Sequence, residues 1–552
     1  MNTEETNVEM KDAGSKDAEQ KDAEDPGQVA VDAGATEADV SEADLDQEEQ
    51  EKQPMTGGEQ TEDTPPASVQ DAATTAEKNG LVKLKISDDH EEEVKFTGLN
   101  KEELLRVAGT PGWVRTRWAL LVVFWLGWLG MLMGAVLIIL QAPSCRDLPN
   151  NNWWNDGPLY QIGNIQAFTD THNLKGLEQK VNSLSQLKVK GLVVGPIHVA
   201  PADDAMNLRF EEISPEAGNL EQFKSFIQAA HKKDISVVLD LTPNYLGSSG
   251  PWFSKTSVMN VAERLKPALV FWLNEGVDGI QLSGVEHVAT VVPWTDIRAI
   301  VQNSTDRPNS RVLIGVTNHS SAEDVSTLLS STGVDLLISR ILSPRDTDAT
   351  ELVHSIQYLY STHGQKKLAW NLGGRLEGHM ASLVGPTLVK LHQLLLMTLP
   401  GTPVFSYGDE IGLMDEGNKF PKMLWDSDEE LNGTLQEERA ERLTRCSFFR
   451  NLSELRGKER SLLFGDFILL FNSSSSLAYL RVWDQSDRYL AAFNWAQEEE
   501  EVLQLSHTML PPRAVVVLST NSTMLPADSS VDLTNLRLGP RQAALLKFPY
   551  TG

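Results

Sequence analysis

From Trp118 to Leu140 the chain reads WALLVVFWLGWLGMLMGAVLIIL, without one charged residue. As an α-helix this run reaches about 34 Å at ~1.5 Å per residue, enough to cross a bilayer core. A cleavable signal peptide does not fit, because the run is too long and begins only at residue 118. Lys101, Arg106, Arg115 and Arg117 flank it on the N-terminal side, against Arg146 alone on the other. Positive residues stay in the cytoplasm, so the N-terminus is inside and the run is a signal anchor. Everything beyond it is then extracellular, the single-pass type II arrangement. The Asn-x-Ser/Thr triplets agree: Asn303, Asn318, Asn432, Asn451, Asn472 and Asn521 all lie beyond the run, as candidate glycosylation sites. Within the helix, Gly127, Gly130 and Gly134 share one face at about 100° per residue, where another helix can approach closely. Gly is also simply common in such helices, so the pattern has a bland reading beside the packing one.

The chain of 552 residues has room for two or three domains. Its net charge of −29 sits largely in residues 1–97 and excludes a nucleic-acid partner, which needs a basic face. Glu37 to Pro66 is poor in aromatics and rich in Glu, Asp, Gln and Thr. It cannot bury enough apolar surface to offset ordering entropy, so residues 1–97 read as a disordered cytoplasmic tail. In the juxtamembrane segment 98–117, GLNKEELLRVAG predicts a short helix capped by Asn100 and ended by Gly109. It is a spacer, or a surface for lipid or a cytoplasmic partner. The only cysteines are Cys145 and Cys446, too few for a disulfide scaffold. Cys145, just past the helix, suggests an intermolecular bond, with a free thiol or a homodimer bond as alternatives. Cys446, in TRCSFF, reads as a buried structural thiol.

After a neck at 141–157, amphipathic runs alternate with short apolar ones. LKGLEQKVNSLSQL leads into GLVVGPI, LEQFKSFIQAAHKKD into ISVVLDL, and ERLKPALVFWLNEG into VDGIQL. This alternation predicts a parallel α/β fold, a (β/α)8 TIM barrel over 158–445, followed by a C-terminal antiparallel β-sandwich over 446–552.

Three segments resemble the α-amylase family, glycoside hydrolase family 13. VVLDLTPNY resembles its strand-3 motif and GVDGIQLS its strand-4 motif. LPGTPVFSYGDEIGL, Leu399 to Leu413, resembles its strand-7 and following-loop signature. That family works with a nucleophilic Asp, a proton-donating Glu and a second Asp that binds sugar hydroxyls. Carried over position by position, these fall on Ser283, Val316 and Gly373, the last through Asn371-Leu372-Gly373. The Arg that orients the nucleophile becomes Gln281, and the strand-3 His becomes Tyr245. Asp240 and Asn244 remain. No carboxylate is left to attack or to protonate, so no enzyme, no cofactor and no metal are expected. Glu286 and Asp278 are the nearest acids in sequence and the candidate substitutes.

A membrane-anchored, inactive amylase-like ectodomain with a cysteine just outside its helix resembles the heavy subunits of heterodimeric amino-acid transporters. KFTGLNKEELLRVAGTPGWVRTRWALL, FWLGWLGML, APSCRDLP and DLTPNY resemble the kind without an inserted domain. The resemblance implies a multi-pass exchanger light chain as partner, disulfide-linked through Cys145. It implies delivery of that partner to the plasma membrane and exchange of large neutral and, with some light chains, basic amino acids. It also implies association of tail and helix with integrin β subunits. The other readings are an active glucosidase, opposed by the lost acids, and a sugar-binding or adhesion glycoprotein using Trp252, Trp272 and Trp370.

Overall fold

The computed structural model describes residues 100–141, 145–201, 203–245, 252–253, 257–303, 311–343, 349–417, 419–425 and 434–550. The tail over 1–97 and the sequon at Asn432 lie outside the described residues. Two units are distinguished, Met1–Val114 and Arg115–Gly552. In the first, Lys101–Ala108 is a helix whose Asn100 side chain accepts from the Lys101 amide, with Gly109 at its C-cap.

The apolar run lies in one helix, Pro111–Gln141, with none of its residues buried. It is long and apolar enough to cross a membrane. A soluble protein would not leave such a surface in water, so lipid is the solvent that suits it.

Beyond that helix the second unit begins with a closed barrel of eight parallel strands. In chain order these are β1 (Leu159–Ile162), β2 (Gly191–Val194), β3 (Ser236–Asp240), β4 (Gly279–Ser283), β5 (Val312–Val316), β6 (Leu336–Ile338), β7 (Leu368–Trp370) and β8 (Thr402–Ser406). Each strand pairs with the next, and β8 returns to β1 through Leu159↔Val404. The strands are short and almost wholly apolar because both faces are covered. Leu159, Val193, Val238, Ile314, Leu336 and Val404 fill the interior, with Trp154 at the end where the strands begin.

One expectation is corrected here. The LPGTPVFSYGDEIGL segment contains β8, not the seventh strand. The seventh is LAW, followed directly by Asn371-Leu372-Gly373.

The C-terminal part is a six-stranded antiparallel sheet. Its strands are β9 (Asp466–Asn472), β10 (Ser476–Val482), β11 (Arg488–Asn494), β12 (Arg513–Ser519), β13 (Ser530–Asp532) and β14 (Gln542–Phe548), in the order β9-β10-β11-β14-β12-β13. Side chains alternate across it. Leu477, Tyr479 and Phe493 pack with the barrel core, whereas Leu480, Leu490 and Leu546 pack on a smaller layer that includes the pair Glu501–Leu503 and Leu536–Leu538. The helix Thr434–Lys458 carries the chain from barrel to sheet and runs through the 445/446 boundary expected from the sequence. Two buried arginines bind the junction. Arg456 donates to the carbonyls of Met397 (3.0 Å) and Leu399 (2.9 Å), and Arg481 to that of Thr398 (2.7 Å).

Candidate functional site: the mouth of the barrel

In barrels of this type, chemistry is done where the strands end. Here Asp240 ends β3, Gln281 and Ser283 lie on β4, Val316 ends β5, and Asn371 and Gly373 follow β7. All line one cavity together with Tyr245. The residues singled out from the sequence are therefore brought together. Four of them, Asp240, Tyr245, Gln281 and Asn371, belong to one hydrogen-bond chain that also takes in Gln161. Asp240, buried, accepts from the Tyr245 hydroxyl at 2.6 Å, the Gln281 amide at 3.0 Å and the Thr242 backbone at 2.9 Å. Gln281 in turn accepts from Gln161 at 2.9 Å, and Gln161 accepts from Asn371 at 3.2 Å. Burial and the Asp240 charge push the Tyr245 phenol well above its ordinary pKa, so it stays a donor.

This chain leaves little for chemistry. Among the described residues, Asp240 and Glu377 are the acids that line the cavity, and Glu377 is ion-paired with Arg340 at 2.5 Å. No hydrogen-bonded base activates Ser283 among the described residues, whose backbone amide is held by Thr242 Oγ1 at 2.8 Å. A Cβ built on Gly373 would stand 2.4 Å from the Gly378 carbonyl oxygen. The third acid of the family's set therefore has no space in the present turn, which is closed by the Gly374–Gly378 bridge. Asp278 lies at the start of β4, the opposite end, where it accepts from Val237 N at 2.8 Å and pairs with His231. Glu286 sits on the short helix Val285–Val288 and does not line the mouth.

The cavity holds about 70 Å³, well below the ~300 Å³ at which ligand pockets usually begin. Arg375 lines it as well. Its guanidinium lies 4.8 Å over the rings of both Tyr245 and Phe420 and donates to the Gly163 carbonyl. Trp252, Trp272 and Trp370 are buried in the core, with their indole N–H groups on the carbonyls of Ser283, Phe210 and Pro400. They offer no stacking surface at the mouth. Gln161 and Arg375 were not singled out from the sequence. Neither belongs to a motif, and Gln161 meets its partner across 120 positions of chain.

The other expected sites are scattered. Cys145 is exposed and Cys446 is half-buried where a buried thiol was expected, and neither is in a disulfide among the described residues. Gly127, Gly130 and Gly134 lie on the apolar helix, and a Cβ at any of them meets nothing within 4 Å. Asn303, Asn318, Asn451 and Asn521 are exposed and Asn472 is half-buried. Asn318 stands at the rim of the mouth.

A family model described as the solute carrier family 3 member 2 N-terminus matches residues 83–160, and one for the α-amylase catalytic domain matches 166–260. The amino acid transporter heavy chain SLC3A2 of Oryctolagus cuniculus is 44% identical, covering 91% of this chain and 96% of its own length. That of Rattus norvegicus is 42% identical with the same coverage. Among solved structures, an α-amylase from Geobacillus thermoleovorans, complexed with acarbose, aligns with a TM-score of 0.56 at 19% identity. It covers 72% of this chain and 99% of its own, a likeness of fold.

Proposed function

Because the chain belongs to the SLC3A2 (4F2) amino acid transporter heavy chains, we propose that it is the non-catalytic, membrane-anchored subunit of a two-chain amino acid exchanger. The observation that carries this reading is the extent of the likeness, which runs through the membrane helix and the barrel alike. One helix cannot line a transport path, which needs several helices around a midplane site. A light chain supplies the path. The heavy chain holds it through the helix, joins it through Cys145 and brings it to the plasma membrane, with the barrel outside.

The barrel's silence is supported by the mouth. Retaining and inverting glycosidases alike need two carboxylates flanking the bond to be cut. Here the corresponding positions carry Ser283 and Val316, and Asp240 is spent in the amide chain.

The test is co-expression with candidate light chains, followed by capture, a non-reducing gel and uptake of large neutral amino acids. The expected result is a heavy band that collapses on reduction and is lost in Cys145→Ser. Uptake should rise with delivery of the light chain to the surface. A chain that reaches the surface yet captures no light chain would sink the reading. A Cys145→Ser chain that keeps the heavy band would move the bond to Cys446.

A further inference from the structure

The helices Val389–Thr398 and Thr434–Lys458 and the end of β12 border an open surface groove of about 440 Å³. Leu443 and Phe448 make its wall partly apolar, Thr444 and Ser447 add hydroxyls, and Lys390 adds an ammonium. Lys390 is half-buried, with its nitrogen 5.9 Å from the centre of the Phe448 ring. Burial lowers its pKa, and Arg445 adds to the effect. Glu441, an acid that acts on it in the other direction, is ion-paired with Arg445. The groove thus sets apolar surface beside hydroxyls and a cation suited to an oxygen acceptor. A sugar ring offers the matching pair of surfaces, C–H faces and hydroxyl oxygens.

Two Asn-x-Ser/Thr triplets flank this groove. Asn451 lines it, and Asn521 stands between Thr520 and Ser522, which both line it. The fold treats the two differently. Asn451 is inside the long helix, and Leu452 and Ser453, which complete its triplet, are buried. The Ser453 hydroxyl donates to the Lys188 carbonyl at 2.9 Å. Asn521, Ser522 and Thr523 are all exposed. The Asn521 side-chain oxygen accepts from the backbone N–H groups of Thr523 at 3.1 Å and Met524 at 3.4 Å, an Asx turn. Two donors on one atom fix which atom is the oxygen. The amide nitrogen, the atom that takes a glycan, is therefore not used by the turn. Ser519 Oγ ties the turn to β12, accepting from the Asn521 N–H at 3.2 Å and donating to its carbonyl at 3.1 Å.

We propose that Asn521 carries an N-linked glycan whose first sugars lie in this groove, and that Asn451 beside it stays bare. In the transfer, Asn521 Nδ2 bonds to the anomeric carbon of an N-acetylglucosamine. A lipid diphosphate leaves that carbon, and Nδ2 gives up one proton. The sugars lie on Leu443 and Phe448, with hydroxyl oxygens toward the Lys390 ammonium. Only the folded chain brings the two helices and the C-terminal sheet together, so a glycan seated on all three stabilises the fold over the unfolded chain. The inference rests on the placement of the barrel outside the cell.

The experiment expresses the full chain in cultured animal cells and maps its glycopeptides by mass spectrometry. Release by peptide-N-glycosidase is then followed at each asparagine, before and after unfolding. The expected result is a glycan on Asn521 and none on Asn451. Release from the native chain should be about tenfold slower at Asn521 than at the exposed Asn303 or Asn318, because the seat must open first. Unfolding should remove the difference. Leu443→Ala and Lys390→Gln each take away a wall contact and should speed native release several-fold with the glycan still attached. Asn521→Asp keeps an acceptor for the turn and takes no glycan. It should lower the melting temperature by about 2 °C, as should Thr523→Ala, whereas Thr523→Ser keeps the triplet and should not. A bare Asn521 beside an occupied Asn303 or Asn318 overturns the proposal alone. So does a glycan on Asn451 in its place, or native release at Asn521 as fast as at the other sites. A chain with no glycan anywhere overturns it together with the outside placement of the barrel.

Discussion

At the scale of single residues, the mouth shows charge replaced by amides. Gln281 can donate to Asp240 and accept from Gln161 at once, which an arginine cannot do because it has no acceptor. A carboxylate introduced at the 9%-exposed Ser283 would therefore sit one strand from Asp240, with the neutral Gln281 and not an arginine on its own strand. Ser283→Asp is expected to lower stability by roughly 1–3 kcal/mol, the cost of burying an unpaired charge, and to cleave no α-glucoside. Adding Gln281→Arg should recover part of the melting temperature and still give no turnover. Thermal unfolding and a chromogenic glucoside assay check both, and hydrolysis by either variant would refute the account. The proposed loss of the acids is a reading that sequence permits, since motif positions are compared one by one. Sequence holds no sign of Gln161, because hydrogen bonding across a barrel leaves no local pattern. Nor did it reveal the behaviour of the acids it kept. Burial raises Glu410 to about 7 and Asp409 to about 6. With folded pKa values above the unfolded ones, the native state holds protons that the unfolded state has lost. Stability contributed by this pair is thus highest below pH ~4.5 and declines as pH rises toward 7. The neutral, buried His198 and His392, each held to about 4, act oppositely, losing stability as pH falls from 6.5. Glu410→Gln separates the two. It should be more stable than the native chain by roughly 1–3 kcal/mol at pH 7.5, with the difference closing near pH 4.5. A difference that does not change with pH would show that Glu410 is ionised in the fold.

At the scale of elements, legibility followed length and solvent. The helix Pro111–Gln141 was plain because its core stretch must be apolar all round. β2, β3 and β4 were plain because each is an apolar run bounded by turns. β6 and β7 are three residues each, too short to stand out, so the sequence offers no strand count by which to number the strand in LPGTPVFSYGDEIGL. The glycine face of the membrane helix invites a different test. A Cβ at Gly127, Gly130 or Gly134 meets no atom of this chain within 4 Å. Replacing Gly130 and Gly134 with Leu therefore costs nothing inside the chain, and Leu favours insertion. Any loss must come from a neighbour kept at a distance, through forfeited close packing. The expected outcome is a heavy chain that reaches the surface normally while its light chain arrives poorly, most clearly with Cys145→Ser added. Surface labelling checks it. Unchanged light-chain delivery in the triple mutant would place the contact on another side of the helix or outside the membrane.

At the scale of the whole molecule, the question is how a barrel and a bilayer helix act on one partner. Cys145 alone cannot answer it, because an exposed thiol on a free neck would sample many positions. Its neighbour, however, is tied to the C-terminal sheet. Arg146 donates its backbone N–H to Asp484 at 3.0 Å, lays its guanidinium 4.7 Å from the Trp483 ring centre, and approaches Asp466 at 3.8 Å. These contacts are exposed, so each is worth only about 0–1 kcal/mol to the fold. Their consequence is for geometry. A disulfide closes only when the two Cα atoms come within ~4.4–6.8 Å, and holding one cysteine against a rigid sheet raises its effective concentration at a fixed place. Arg146→Ala and Trp483→Ala should therefore leave the melting temperature nearly unchanged. In a pulse-chase of the co-expressed pair, they should slow the appearance of the reduction-sensitive band several-fold, with more Cys145 homodimer. Arg146→Lys keeps a charge but loses the planar stack and should fall between them. If all three variants pair as fast as the native chain, the sheet does not position Cys145, and the helix face must align the two subunits by itself.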